Sequence, residues 1–267
     1  MPILRSFLLF AGLAALAFAQ QTPPAPAETP SASPVAKQPK ISSQKELEAV
    51  QAIMNALDPA SRIDAANKLV TDFPKSDFKA FALQLATITY QQMNDYENMM
   101  IYGERTLEVD PENYMVMLAM ATGLAQRTRE FDLDKEEKLG RSSSLATNAL
   151  QILETAPRPN PNITDEQWSS AKNDFRAQGH EALGLVAMVR KDYAAAAKEF
   201  KQSIDLATEG NSATKVRLAV AHNFLGNFGE AIATLDGVLA EADLNPTIRQ
   251  IAQAERARAV KLQDAKK

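Results

Sequence analysis

From Ile41 to the C-terminus, apolar residues recur at three- and four-residue spacing in runs of roughly four turns, the period of a helix with one buried face. Leu83, Ala86 and Tyr90 form one such stripe, and Leu145, Ala149 and Ile152 another. The polar breaks between runs carry helix-start signals. Ser43 with Glu46 and Thr164 with Gln167 have the spacing of a capping box, in which side chains satisfy the free amides of a first turn. Asp58-Pro59, Asp110-Pro111 and Asn245-Pro246 each put an N-capping side chain before a proline at the first helical position. No segment shows convincing strand alternation. The pattern predicts an all-α chain of helical hairpins, each stacked on the next.

Three tripeptides at the expected hairpin turns align: Asn94-Asp95-Tyr96, Lys191-Asp192-Tyr193 and Gly226-Asn227-Phe228. Tyr193 and Phe228 are 35 positions apart, and a period of this length marks a repeat architecture. The segment HEALGLVAMVRKDYAAAAKEFKQSI supplies His180, Leu183-Gly184, Ala187, Tyr193, Ala196 and Phe200 at fixed offsets. It resembles the tetratricopeptide repeat (TPR) family, whose helix–turn–helix unit of about 34 residues carries W-x2-L-G-x2-Y, then A-x3-F, then Pro. A second match runs Leu83, Ala86-Thr87, Tyr90, Tyr96, Met99 and Pro111, ending in LEVDPEN. A third runs Lys215, Leu218-Ala219, His222, Phe228, Ala231 and Leu235. Two further units, 43–76 and 113–157, lack the Leu-Gly signature or are split by the charged insertion TREFDLDKEEKL at 128–139. The resemblance implies a TPR-type α-solenoid over 41–267. It would have about five hairpins, an extended helix after the Pro-rich loop 156–164, and a capping helix at 246–264.

Two segments precede that domain. Residues 7–19 are uncharged and apolar after Arg5, and Ala17-Phe18-Ala19 is a small-x-small site before Gln20. Residues 1–19 therefore read as a signal peptide cleaved after Ala19, sending the chain to the periplasm or the exterior. Thirteen apolar residues fall short of the roughly 20 that span a bilayer. With no cysteine to lipidate, no stable membrane anchor is expected. Residues 20–40 hold six prolines and almost no bulky apolar group, the composition of an extended, disordered linker.

Composition narrows the chemistry. Without cysteine and with two histidines, thiolate metal sites and cysteine nucleophiles are excluded and imidazole chemistry has little material. Removing residues 1–19 leaves 28 basic and 33 acidic side chains, net −5, with no basic stripe for nucleic acid. No Walker loop, G-x-S-x-G, G-x-G-x-x-G or H-E-x-x-H is present. His180 and His222 occupy slots that the resemblance assigns to core aromatics. Six of nine methionines lie between Met93 and Met120, but on a helix Met115 and Met117 diverge, so core filling outweighs soft-metal binding. The serine run at 141–147 reads as close helix packing. No cofactor or metal is expected.

In TPR proteins the first helix of each hairpin lines a concave, ligand-binding face. Carried over by alignment, that face comprises Phe81, Gln84, Ile88, Gln91 and Gln92; Gln178, Glu181, Leu185, Met188 and Val189; and Val216, Val220, Asn223 and Phe224. Met115 and Leu118 join it if the third unit is read in the same register. The face is apolar with amides and few charges. It lacks the cations by which chaperone-adaptor TPR domains grip an acidic C-terminus, and it suits a peptide with apolar anchors. The expected function is a non-enzymatic interaction scaffold or adaptor of the cell envelope. The alternatives are an envelope-biogenesis assembly factor, a carboxylate-dependent hydrolase on an α-solenoid, and a self-associating homo-oligomer.

Overall fold

The computed structural model describes residues 33–266. The expected signal peptide, the first part of the Pro-rich segment and Lys267 lie outside them. The helices run α1 (Gln44–Asn55), α2 (Pro59–Asp72), α3 (Lys79–Gln92), α4 (Tyr96–Val109), α5 (Tyr114–Arg127), α6 (Lys135–Thr155), α7 (Asp165–Val189), α8 (Tyr193–Leu206), α9 (Ser212–Leu225), α10 (Phe228–Leu239) and α11 (Pro246–Asp264).

Four of the five expected start signals open a helix. Asp58 accepts from the Ser61 amide at 2.9 Å, and Asn245 from those of Thr247 and Ile248, each ahead of a proline in the first turn. Thr164 and Gln167 form a full capping box. At α1 the box is skewed. Ser43 caps the Glu46 amide, but the Glu46 carboxylate reaches past it to the backbone and hydroxyl of Ser42.

Asp110-Pro111 does not start a helix. Asp110 closes α4, and the turn it begins leads to Asn113, whose side chain caps α5 through the Val116 amide. The Asn113 backbone and side-chain amides both donate back to Asp110, which uses the aspartate to hold the turn. The charged insertion is likewise only half loop. Lys135–Leu139 form the first turns of α6, because Leu139 is fully buried.

The three aligned tripeptides share one conformation. Asn94, Lys191 and Gly226 have φ of 58°, 63° and 77°. The residue after each donates to the carbonyl five positions back, at 2.9 Å in all three turns. This is the left-handed ending that satisfies the last carbonyls of a helix. In the first two turns the next side chain, Asp95 or Asp192, then caps the following helix.

Helices pair as α1/α2, α3/α4, α5/α6, α7/α8 and α9/α10, and each second helix packs on the first helix of the next hairpin. The helix α11 closes the stack against α9 and α10. First helices also touch one another, α3 with α5, α5 with α7 and α9 with α11, whereas second helices make no comparable contact. The solenoid therefore curves with its first helices inside.

Small residues set the close approaches. A Cβ on Gly184 would lie 2.6 Å from the ring of the fully buried Phe200. Ser142 donates to the Ala121 carbonyl at 2.8 Å where α6 crosses α5. Met99, Met117 and Met120 are buried core, as their helical spacing predicts. Trp168 anchors the start of α7 among Met117, Leu118, Ala149 and Leu153 and donates from Nε1 to the Ala156 carbonyl.

Candidate functional site: the concave face

In the N-terminal half the predicted residues divide by role. Phe81 is half-buried and meets Phe78 edge-on, with centroids 6.4 Å apart. Gln84 is tied to the next hairpin: its carbonyl accepts from Asn113 at 2.9 Å and its amide lies 3.6 Å from the Met115 sulfur. Ile88 is only 6% exposed and belongs to the packing, not to the accessible surface. Gln91 and Gln92 are exposed. Gln91 lines a small cavity of about 90 Å³ with Gln126, Tyr96, Gly123 and Arg127. Burial raises the Tyr96 phenol above its ordinary pKa, and Arg127 sits 4.9 Å from its ring centre.

In the third hairpin Val116 to Ala121 are buried throughout, with Leu124 and Ala125, because α5 is flanked by α3, α4, α6 and α7. Met115 is half-buried, while Leu118 is 1% exposed within the cluster that joins α5 to α7.

In the C-terminal half Gln178, Leu185, Met188 and Val189 are half-buried along α7. Glu181 forms an ion pair with Arg217 and approaches Asn211, joining α7 to α9. Val216 and Asn223 do not line the face. They are 6% and 4% exposed beneath α11, where the Asn223 amide donates to the Glu255 backbone and carboxylate at 3.2 and 3.0 Å. In a superhelix the next first helix lies over these positions, so α11 takes the place that alignment alone would leave open.

Val220 remains half-buried and Phe224 is 45% exposed. The Phe224 ring stacks on Tyr193 with centroids 4.3 Å apart and planes 7° from parallel, and Arg258 covers it at 4.7 Å. This three-layer stack brings together the N-terminus of α8, the C-terminus of α9 and the middle of α11. Ile251 and Leu262 share the α11 stripe with Arg258 by helical spacing and are 47% and 37% exposed. Their part in the face is absent from the alignment-based set, because α11 has no partner helix to complete a recognisable repeat. The i, i+7, i+11 spacing of Ile251, Arg258 and Leu262 is the signal that marks it.

The two histidines take structural positions. His180 Nδ1 lies 2.7 Å from Glu199 Oε2 and joins α7 to α8, while His222 lies near the C-terminus of α9. Among the described residues no three His, Asp or Glu side chains are grouped to hold a metal ion. None of the described helices is long and apolar enough to cross a membrane. Half-exposed aliphatic and aromatic groups flanked by free amides can bury a partner's apolar side chains and hydrogen-bond its backbone.

A solved TPR protein has a similar architecture. Superposed on TTC0263, a thermophilic TPR protein of Thermus thermophilus, the chain aligns over 79% of its own length and 97% of that protein, with 16% identity and a TM-score of 0.51. A tetratricopeptide repeat protein from Parabacteroides merdae aligns over 84% of this chain and 92% of that one, at 12% identity and a TM-score of 0.43. No family model matches the sequence, and no curated protein matches it. The fold is the all-α TPR solenoid.

Proposed function

We propose that the chain is a non-enzymatic scaffold that holds a protein or peptide partner on the concave face of its TPR solenoid, outside the cytoplasm after removal of residues 1–19. The observation that carries the binding reading is the inner surface at the C-terminal end. There Leu185, Met188 and Val220 are half-buried, and Phe224, Ile251 and Leu262 keep more than a third of their surface in water. Other strongly exposed apolar side chains, such as Leu57, Phe131 and Leu133, sit in the loops between helices, whereas this strip lies on the helices themselves, and open apolar strips on folded domains mark interaction sites. The Tyr193–Phe224–Arg258 stack supplies rigid aromatic surface of the kind that concentrates binding energy. Fold-level likeness supports a scaffold in general, and the site residues support this face in particular.

The test is affinity capture from native envelope extract with residues 20–267 as bait, beside the Met188→Glu/Phe224→Asp double variant. Circular dichroism and thermal melting establish that both are folded. A partner held by the wild type and lost by the folded variant supports the reading. Equal retention by both removes the concave face from it.

A further inference from the structure

Residues 33–40, which composition assigns to a free linker, are held to the body of the protein. Val35 and Arg158 form a parallel β-bridge. The Arg158 amide donates to the Pro34 carbonyl, and the Ala36 amide to the Arg158 carbonyl, both at 2.8 Å. The Arg158 side chain donates from Nε to the Ser33 carbonyl at 3.2 Å and from Nη1 to that of Ile163 at 3.0 Å. Asp165 accepts from the Ser33 amide at 3.2 Å and faces the Arg158 guanidinium at 3.6 Å. Gln38 donates to the Pro159 carbonyl. At the other end the Lys40 amide donates to Asp77 at 3.1 Å.

The two anchor points are far apart in the stack. Asp77 lies in the loop between α2 and α3, and Arg158 in the loop between α6 and α7. The two anchors thus lie on either side of the second and third hairpins. The pair α1/α2 packs chiefly on α3, with Tyr102 of α4 reaching Asn67 of α2, and no helix contact of similar extent joins the first hairpin to the α6–α7 junction. A solenoid held by nearest-neighbour contacts bends through the sum of small rotations at each interface. A tie that skips interfaces restrains that sum.

We propose that residues 33–40 are a strap that fixes the curvature of the first four hairpins, and with it the width of the concave face. The inference rests on the fold and these contacts, and is independent of whether a partner binds there. Arg158 is the positioning residue: its side chain and its own backbone N–H and C=O supply most of the hydrogen bonds at that end. The strap itself is mostly exposed, so it can be loosened without opening the core.

The native chain has no cysteine, so Lys68→Cys on α2 and Lys198→Cys on α8, both exposed, take spin labels uniquely. Distances between them are measured in the otherwise wild-type chain, in Arg158→Ala and in Ala36→Pro. The last removes the strap's amide donor and leaves the α6–α7 loop untouched. Amide exchange at Arg158 in every chain, and at Ala36 in the wild type and Arg158→Ala, is followed in parallel, and melting curves show that each variant keeps its helices. In the wild type the proposal expects those amides to exchange at least about tenfold more slowly than free peptide. It also expects the label distribution to broaden about twofold in both variants. Unprotected amides in the wild type would overturn it. So would an unchanged distance distribution in variants whose amides have lost protection, since the strap would then be docked without restraining anything.

Discussion

The left-handed residue that ends the first helix is occupied by Asn94, Lys191 and Gly226 in three hairpins, and the repeat geometry demands it whatever the side chain. Only glycine meets the demand without strain. Gly226→Ala is therefore expected to cost about 1 kcal/mol and Lys191→Gly to gain a similar amount, less the small contribution of the exposed Lys191–Glu130 pair. Opposite shifts in urea midpoint, with unchanged slopes, would show it. Glu46 offers a pH-dependent test at the same scale. Its pKa is lowered chiefly by the Ser42 hydroxyl, with help from the Ser76 side chain and the Ser42 backbone, against the opposing effect of burial. A lowered carboxylate pKa contributes stability that is present above the ordinary glutamate range and is lost as pH falls through the lowered value. Glu46→Gln should destabilise the protein at pH 7 by roughly 1 kcal/mol. That difference should shrink in acid below the glutamate range, as read from paired denaturant titrations.

At the scale of helices, Gly184 and Phe200 carry the α7/α8 contact. Gly184→Ala gains up to about 1 kcal/mol in helix propensity. It also drives a methyl into the fully buried Phe200 ring, which costs roughly 1–3 kcal/mol. Net destabilisation in equilibrium unfolding is the expected outcome, and a more stable variant would mean that the ring can yield. This contact was legible in the sequence because Gly184 and Phe200 sit at the family's offsets, as were the three tripeptide turns and the caps at Asp58, Thr164 and Asn245. Asp110 was misleading because Asp-Pro serves equally to open a helix or to hold a turn, and only the competing side chain at Asn113 decides. The inner face was half legible. Alignment locates Leu185, Met188, Val220 and Phe224 on accessible surface, but it cannot reveal that α11 lies over Val216 and Asn223, since that depends on packing between elements outside the repeat pattern.

For the whole molecule, the export reading makes a direct prediction. Protein recovered from its native source should begin at Gln20, as N-terminal sequencing would report, whereas a chain that retains residues 1–19 would overturn cleavage after Ala19. The strap also bears on how the chain reaches its final form. Stacked hairpins assemble from partners close in sequence, which favours rapid folding. The Ser33–Asp165 contact joins residues 132 positions apart. It therefore has to wait until the beginning of α7 has been synthesised and set in place. The residues at the N-terminal edge of the fold, among the earliest made, are in this way among the last to find their native contacts.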